Sequence, residues 1–247
     1  MSDPKFLFIL TPSHSGSTVL IKYLNTSPYS MLLNSDGEGQ WLVPSLAEND
    51  RWNPKKQIDW KTVKQTWLKK YHEINRLVGN IQVILEKSPP NLVRFDRFKK
   101  HFPNSVFMVL NRDPYANCSS KFHRTQNSSN FSSEERLQSL RQLATDWVFK
   151  SSCLVRAIEA ENLLFFTYEQ FCEEPDICLK RVLEICPELE QINASVNVRV
   201  KDYPAQQLSN QNQRQIDLLH ADEIQEISAI LATKIELLQK FSYQLRS

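Results

Sequence analysis

Glycine is nearly missing from this chain: it has four in 247 residues, where average usage near ~7% would supply about seventeen. A glycine kept against that background marks a place where φ is positive or another group comes close. Three of the four, Gly16, Gly37 and Gly39, fall in two short polar segments. Long apolar runs are missing as well. The stretch from Phe6 to Leu10 offers only five apolar residues, too few for a signal-peptide core or a membrane span, so the expectation is a cytoplasmic protein without an export signal. The five cysteines, Cys118, Cys153, Cys172, Cys178 and Cys186, are odd in number and form no Cys-x-x-Cys pair. That fits a reducing compartment and gives no zinc pattern, so no metal site is expected. Excess charge of one sign is also lacking. Thirty lysines and arginines against 28 acids leave a net charge of +2, which excludes a general field for nucleic acid or an anionic membrane and requires any anion site to be local.

What is present is a repeated grammar. Lys5-Phe-Leu-Phe-Ile-Leu-Thr11 is a continuous apolar run suited to a buried parallel strand, and it ends at a polar loop before a helical pattern from Ser17 to Asn25. The order strand, loop, helix recurs at Gln82 to Glu86 with a helix over Asn91 to Phe102, and at Val106 to Leu110 with a helix through Arg124. Leu163 to Thr167 gives a fourth strand, followed by Tyr168 and a helix around Asp176 to Ile185. Leu137, Leu140, Trp147, Leu154 and Ile158 mark a long amphipathic helix, and Ile224, Ile227, Leu231, Ile235 and Leu238 one C-terminal helix. Residues 125–133 and 195–212 read as irregular. The expectation is a single α/β domain over 1–247, with a P-loop-like central parallel sheet flanked by helices on both faces and a ligand beyond the carboxyl ends of the strands.

Ser13-His-Ser-Gly-Ser-Thr18 sets hydroxyls and a glycine where the first strand turns into a helix, so the free amides of the first turn are available to an anion. Alone, the segment equally suits an ordinary Ser/Thr-rich helix cap. It has one glycine and no lysine, unlike the Gly-x4-Gly-Lys-Ser/Thr of a nucleoside-triphosphate loop, which disfavours a P-loop kinase. Pro12-Ser-His-Ser-Gly-Ser-Thr-Val-Leu20 resembles the 5′-phosphosulfate loop of the sulfotransferases that use 3′-phosphoadenosine 5′-phosphosulfate (PAPS). The resemblance implies that Ser13, His14, Ser15, Gly16, Ser17 and Thr18 bind that co-substrate.

A second anion segment starts at Arg112, at the end of its strand, where Asp113-Pro114 provide an N-cap and a proline at the first helical position. Ser120 and Arg124 are four apart and share a helix face. Arg112 and Ser120 would be ~12 Å apart along a straight helix, so they can share one phosphate only if the chain doubles back at Pro114. Without other information this is also an ordinary basic helix. Phe102 to Arg124 resembles the family's 3′-phosphate segment, which implies that Arg112, Ser120 and Arg124 hold that phosphate. Tyr168-Glu-Gln170 resembles the family's segment near the nucleotide, although a tyrosine at a strand end is as often packing.

Sulfuryl transfer needs a base for the acceptor hydroxyl and positive groups on the sulfuryl and the departing phosphate. Gly37-Glu-Gly-Gln-Trp-Leu-Val-Pro44 resembles the segment of the tyrosylprotein sulfotransferases whose glutamate is the base, which implies that role for Glu38. On its own, Glu38 fits a surface turn. Lys87 stands where the same relatives carry a catalytic lysine; a strand-end lysine is otherwise usually solvated. His14 departs from the family's lysine or arginine, and imidazole, with a reference pKa near ~6.5, is charged only when its surroundings favour it. Near Ser209-Asn-Gln-Asn212, where the relatives carry a nucleotide-contacting lysine, Arg199, Lys201 and Arg214 are the possible substitutes. The sequence therefore reads as a PAPS-dependent sulfotransferase acting without a metal by in-line transfer to a hydroxyl acceptor, which can be a small molecule, lipid, glycan or peptide. The competing readings are a P-loop nucleotide or small-molecule kinase and a non-catalytic nucleotide-binding relative.

Overall fold

Along β1 (Lys5–Leu10) successive side chains point to opposite faces of a sheet, and both sets are apolar. Phe6, Phe8 and Leu10 enter one core cluster, and Leu7 and Ile9 enter another. A strand buried on both faces belongs in the middle of a parallel sheet. The computed structural model, which describes residues 3–125, 130–193, 196–199, 205 and 207–246, places it there. With β2 (Ser30–Leu32), β3 (Val83–Glu86), β4 (Ser105–Asn111) and β5 (Leu164–Thr167) it forms a parallel sheet in the order β2-β3-β1-β4-β5. Phe8 pairs in register with Glu86 on one side and Phe107 on the other, and Asn111 pairs with Thr167. The carboxyl ends of β3, β1, β4 and β5 thus open onto one edge.

Helices cover both faces. On one side α3 (Trp60–Val78), α4 (Phe95–His101) and the C-terminal half of α6 (Ser133–Glu161) pack on Phe6, Phe8, Phe107 and Val109. Phe8 stacks on Phe107 with centroids 4.9 Å apart, and burying such a side chain contributes on the order of 1.5–3 kcal/mol. On the other side α1 (Ser17–Leu24), α7 (Tyr168–Glu173) and α8 (Pro175–Ile185) cover Leu7, Ile9, Met108 and Phe166. A third cluster joins α5 (Pro114–Thr125) and the first half of α6 to α10 (Ala221–Ala232) and α11 (Ile235–Lys240). No helix among the described residues is long and apolar enough to cross a membrane.

The layered α/β architecture agrees with the sequence reading; several boundaries do not. β2 was not anticipated, because three residues are too few to display a period, and it is recruited when the Tyr29 carbonyl accepts from Gln82 and Val83. The helix expected over Asn91 to Phe102 begins only at Phe95. Pro89 to Arg94 form a 3₁₀ turn, in which the Asn91 side chain donates to Glu86. The single C-terminal helix is two, α10 and α11, interrupted where Lys234 leaves helical geometry at φ −143°. Parts of the irregular stretches 125–133 and 195–212, and Lys201, lie outside the described residues.

Candidate active site

The loop after β1 is held in an unusual backbone shape. His14 has φ 64° and Gly16 φ 79°, the left-handed region that a residue with a Cβ enters at a cost. A Cβ on Gly16 would also lie 2.3 Å from the Tyr168 ring, so glycine is required there twice over. Gly16 caps α1 without any side-chain hydrogen bond, and while the Val19 amide donates to the Gly16 carbonyl at 3.0 Å, Ser17 and Thr18 of the first turn border the adjoining cavity. Asn117 of α5 pins this loop, its Nδ2 donating to the Ser13 carbonyl at 2.9 Å and to Ser15 Oγ at 3.2 Å.

Asp113 begins α5 as expected, its Oδ1 accepting from the Ala116 amide at 2.9 Å ahead of Pro114. The abrupt turn brings Arg112 back over the first loop. Arg112 Nη1 donates to the His14 carbonyl at 2.9 Å, and Nε donates to Asn212 Oδ1 at 2.8 Å. His14 Nδ1 lies 3.2 Å from Ser120 Oγ, so Arg112 and Ser120 meet through His14. The Arg112 guanidinium also sits 4.6 Å from the centre of the Tyr168 ring. Tyr168 is delivered by a capping box at the β5–α7 junction, where Thr167 and Gln170 satisfy each other's amides. Its hydroxyl donates to the Ser209 carbonyl at 2.9 Å, and burial, the largest influence, pushes the phenol well above its ordinary value.

Glu38 and Lys87 arrive from the ends of β2 and β3. Lys87 is 2% exposed rather than solvated, and its Nζ donates to Glu38 Oε1 at 2.6 Å. Glu38 Oε2 accepts from Gln40 Nε2 at 2.8 Å and from the Trp41 indole at 2.9 Å. Burial, the largest single influence, pushes the Glu38 carboxyl up, but the Lys87 charge and these hydrogen bonds together outweigh it and hold the carboxyl below the usual range.

One cavity of about 510 Å³ joins these parts, a size typical of small-molecule sites. Ser13, His14, Gly16, Ser17, Thr18, Glu38, Lys87, Arg112, Ser120, Arg124 and Tyr168 all line it. Ser15 does not line it; its hydroxyl is buried against Asn117. Among the described residues, Lys87, Arg112, Arg124 and Arg214 face the cavity against the single carboxylate Glu38. Of the three proposed C-terminal cations, Arg214 lines the cavity, whereas Arg199 does not.

The chain belongs to the sulfotransferase family. The family profile matches residues 4–190, which takes in every strand and both anion segments. No curated protein matches by sequence. Solved structures share the fold at low identity. A sulfotransferase from Alicyclobacillus acidocaldarius has a TM-score of 0.59 at 15% identity, covering 99% of this chain and 98% of its own. Sulfotransferase STF9 from Mycobacterium avium has a TM-score of 0.61 at 14%, covering 99% and 79%. The sulfotransferase domain from the curacin biosynthetic pathway has a TM-score of 0.53 at 16%, covering all of both chains. Family membership makes this chain a transferase and sets aside the kinase reading.

Two residues at the site escaped sequence reasoning. Asn117 carried a usable signal, since it falls on the α5 face of Ser120 and Arg124 at i, i+3 and i+7. Asn212, which orients Arg112 from 100 residues away, carried none.

Proposed function

We propose that this sulfotransferase takes its sulfuryl group from PAPS and transfers it directly to an acceptor hydroxyl, with Glu38 as base. The observation that carries the proposal is the single cavity uniting three features: the uncapped start of α1, the Arg112, Ser120 and Arg124 cluster, and the Glu38–Lys87 pair. The two cationic ends suit a nucleotide with phosphates at both its 5′ and 3′ positions. The 5′-phosphosulfate belongs at the α1 amides with Ser17 and Thr18, and the 3′-phosphate with Arg112, Ser120 and Arg124. Hydrogen bonds to charged groups contribute roughly 1.5–3 kcal/mol each, so two or three of them favour the 3′-phosphorylated nucleotide by orders of magnitude.

In the reaction Glu38 accepts the acceptor's hydroxyl proton as the oxygen forms its bond to sulfur. The bond between sulfur and the bridging phosphate oxygen breaks, and its electron pair leaves with 3′-phosphoadenosine 5′-phosphate. Lys87 and a protonated His14 stabilise the transferring group and that oxygen. Glu38 is already ionised in its pair with Lys87, so binding requires only that the lysine share its protons with the sulfuryl group.

The test is calorimetric titration with 3′-phosphoadenosine 5′-phosphate, adenosine 5′-phosphate and ATP. The expected result is strong preference for the first, lost in Arg112→Ala and weakened in Ser120→Ala. Preferential binding of ATP, or no binding of any of the three, overturns the proposal.

A further inference from the structure

Glu86 closes β3 with its side chain fully buried, and the direct mechanism makes no use of it. Its carboxylate is met by neutral hydrogen-bond donors. Oε2 accepts from the Gly39 amide at 2.7 Å, while Oε1 accepts from the Ser88 amide at 2.9 Å and from Asn91 Nδ2 at 2.8 Å. Gly39 directly follows Glu38, and Ser88 directly follows Lys87. Each oxygen therefore holds the peptide next to one member of the ion pair. The same two segments are joined again where the Lys87 amide donates to the Gly37 carbonyl at 2.8 Å and the Gln40 amide to Ser88 Oγ at 3.1 Å. The buried Trp67 indole fixes the far side of Gly39, donating to its carbonyl at 3.1 Å.

A buried carboxylate is costly, and burial pushes this one above its usual range although its hydrogen bonds, that of the Ser88 hydroxyl foremost, pull the other way. An amide would not replace it. The N–H groups of Gly39, Ser88 and Asn91 and the Ser88 hydroxyl all converge on its two oxygens, and a glutamine would turn an NH₂ group toward some of them. Packing at Gly39 leaves no slack to absorb the mismatch, because even a Cβ there would lie 2.5 Å from Leu33 and 2.9 Å from Trp67.

We propose that Glu86 is the positioning residue of the Glu38–Lys87 pair, its two oxygens clamping the amide that follows each partner so that the pair meets at hydrogen-bonding distance. The proposal builds on the roles given above to Glu38 and Lys87, but its structural content is independent of them. The groups facing Glu38 are Lys87, Gln40 and Trp41, and the further charged or titratable groups around the cavity are His14, Arg112, His123, Arg124, Tyr168 and Arg214. The Trp41 indole N–H, bonded to Glu38 Oε2, reports the ionisation of Glu38.

The test follows the ¹⁵N-indole resonance of Trp41, assigned with Trp41→Phe, against pH in the wild-type protein and in Glu86→Gln. Loosening the pair frees burial to act on Glu38, so the midpoint is expected to rise by ~1 pH unit. Binding of 3′-phosphoadenosine 5′-phosphate, assigned chiefly to the α1 amides and to Arg112, Ser120 and Arg124, should stay within twofold. Glu86→Asp, which keeps the charge but is too short to hold both amides, should give an intermediate midpoint, and it replaces Glu86→Gln if that variant does not fold. An unmoved midpoint overturns the proposal, as does a loss of nucleotide binding in step with the midpoint, which marks a general structural role. If the wild-type protein binds no nucleotide, the functional reading fails, while the indole midpoint still decides the clamp by moving or staying.

Discussion

Lys87 Nζ and Glu38 Oε1 are 2.6 Å apart across 49 residues of chain, with Lys87 nearly inaccessible to solvent. A lysine buried against one carboxylate at the edge of an otherwise cationic cavity lowers the basicity of its partner. Lys87→Met should lower turnover ~10²–10³-fold, the usual cost of one stabilising donor. Without the cation, burial dominates at Glu38 and its pKa rises, so the acidic limb of the activity profile should move to higher pH. Turnover within threefold of wild type, measured at saturating donor, contradicts the role.

Glu38→Gln keeps the shape of the side chain and removes the base. Turnover should fall ~10²–10⁴-fold, with affinity for 3′-phosphoadenosine 5′-phosphate nearly unchanged because the phosphate contacts lie elsewhere. A matched loss of binding and turnover would show that Glu38 organises the cavity rather than accepting a proton.

His14 replaces a permanently charged residue of the family, so its contribution depends on pH. A neighbouring phosphosulfate favours imidazolium, and activity should decline on the alkaline side with a His-like pKa. His14→Arg should extend activity toward high pH. A wild-type profile flat to about pH 9, well above the ~6.5 reference value, removes the role.

The strands, the two anion-loop segments and most of the cavity lining were legible because each rests on a local pattern: a short apolar run, a capping residue, a helical spacing. The short strand Ser30–Leu32 was not, since its place is fixed by pairing with β3 and its three residues have no period. The direction of the Ser15 hydroxyl was not legible either, since it follows from Asn117, which reaches the loop from another element. Asn212 and Glu86 were invisible for the same reason. Their work is done through partners distant in sequence, and nothing in their own neighbourhood distinguishes them from a polar loop residue and the last residue of a strand.

Lys150 is a buried charge outside the active site, bonded to Asp146 at 2.7 Å and lying 3.7 Å from the Trp52 ring centre. Burial, the largest influence, with help from nearby Lys121, lowers its pKa to about 8. Between that value and the ordinary lysine value the unfolded chain holds the proton and the folded protein does not, so this group's contribution to stability rises with pH. Below about pH 8 the penalty of burying the charged amine persists. Lys121 still pairs with Asp146 when Lys150 is removed, so Lys150→Met should be more stable than wild type near pH 7, by on the order of 1 kcal/mol, and the advantage should shrink toward pH 10. Urea denaturation at both pH values checks it; an advantage that grows with pH contradicts the assignment.

Gly16→Ala should weaken nucleotide binding at least ~10-fold, because the added methyl meets both an unfavourable φ and the Tyr168 ring. Calorimetry on the folded variant measures it, and binding within twofold of wild type would show that the loop relaxes without harm.

The stack of Gly16, the Tyr168 ring and the Arg112 guanidinium draws one member from each of three different strand ends. Each fixes the room left to the next, so none can change size independently. For a lineage accumulating substitutions this is a lock with three tumblers: a bulkier residue at 16 is admissible only after the ring at 168 has shrunk, and shrinking the ring first strips the arginine of its support. On the proposed function this stack belongs to the nucleotide's part of the cavity, so a change of donor would need concerted steps there.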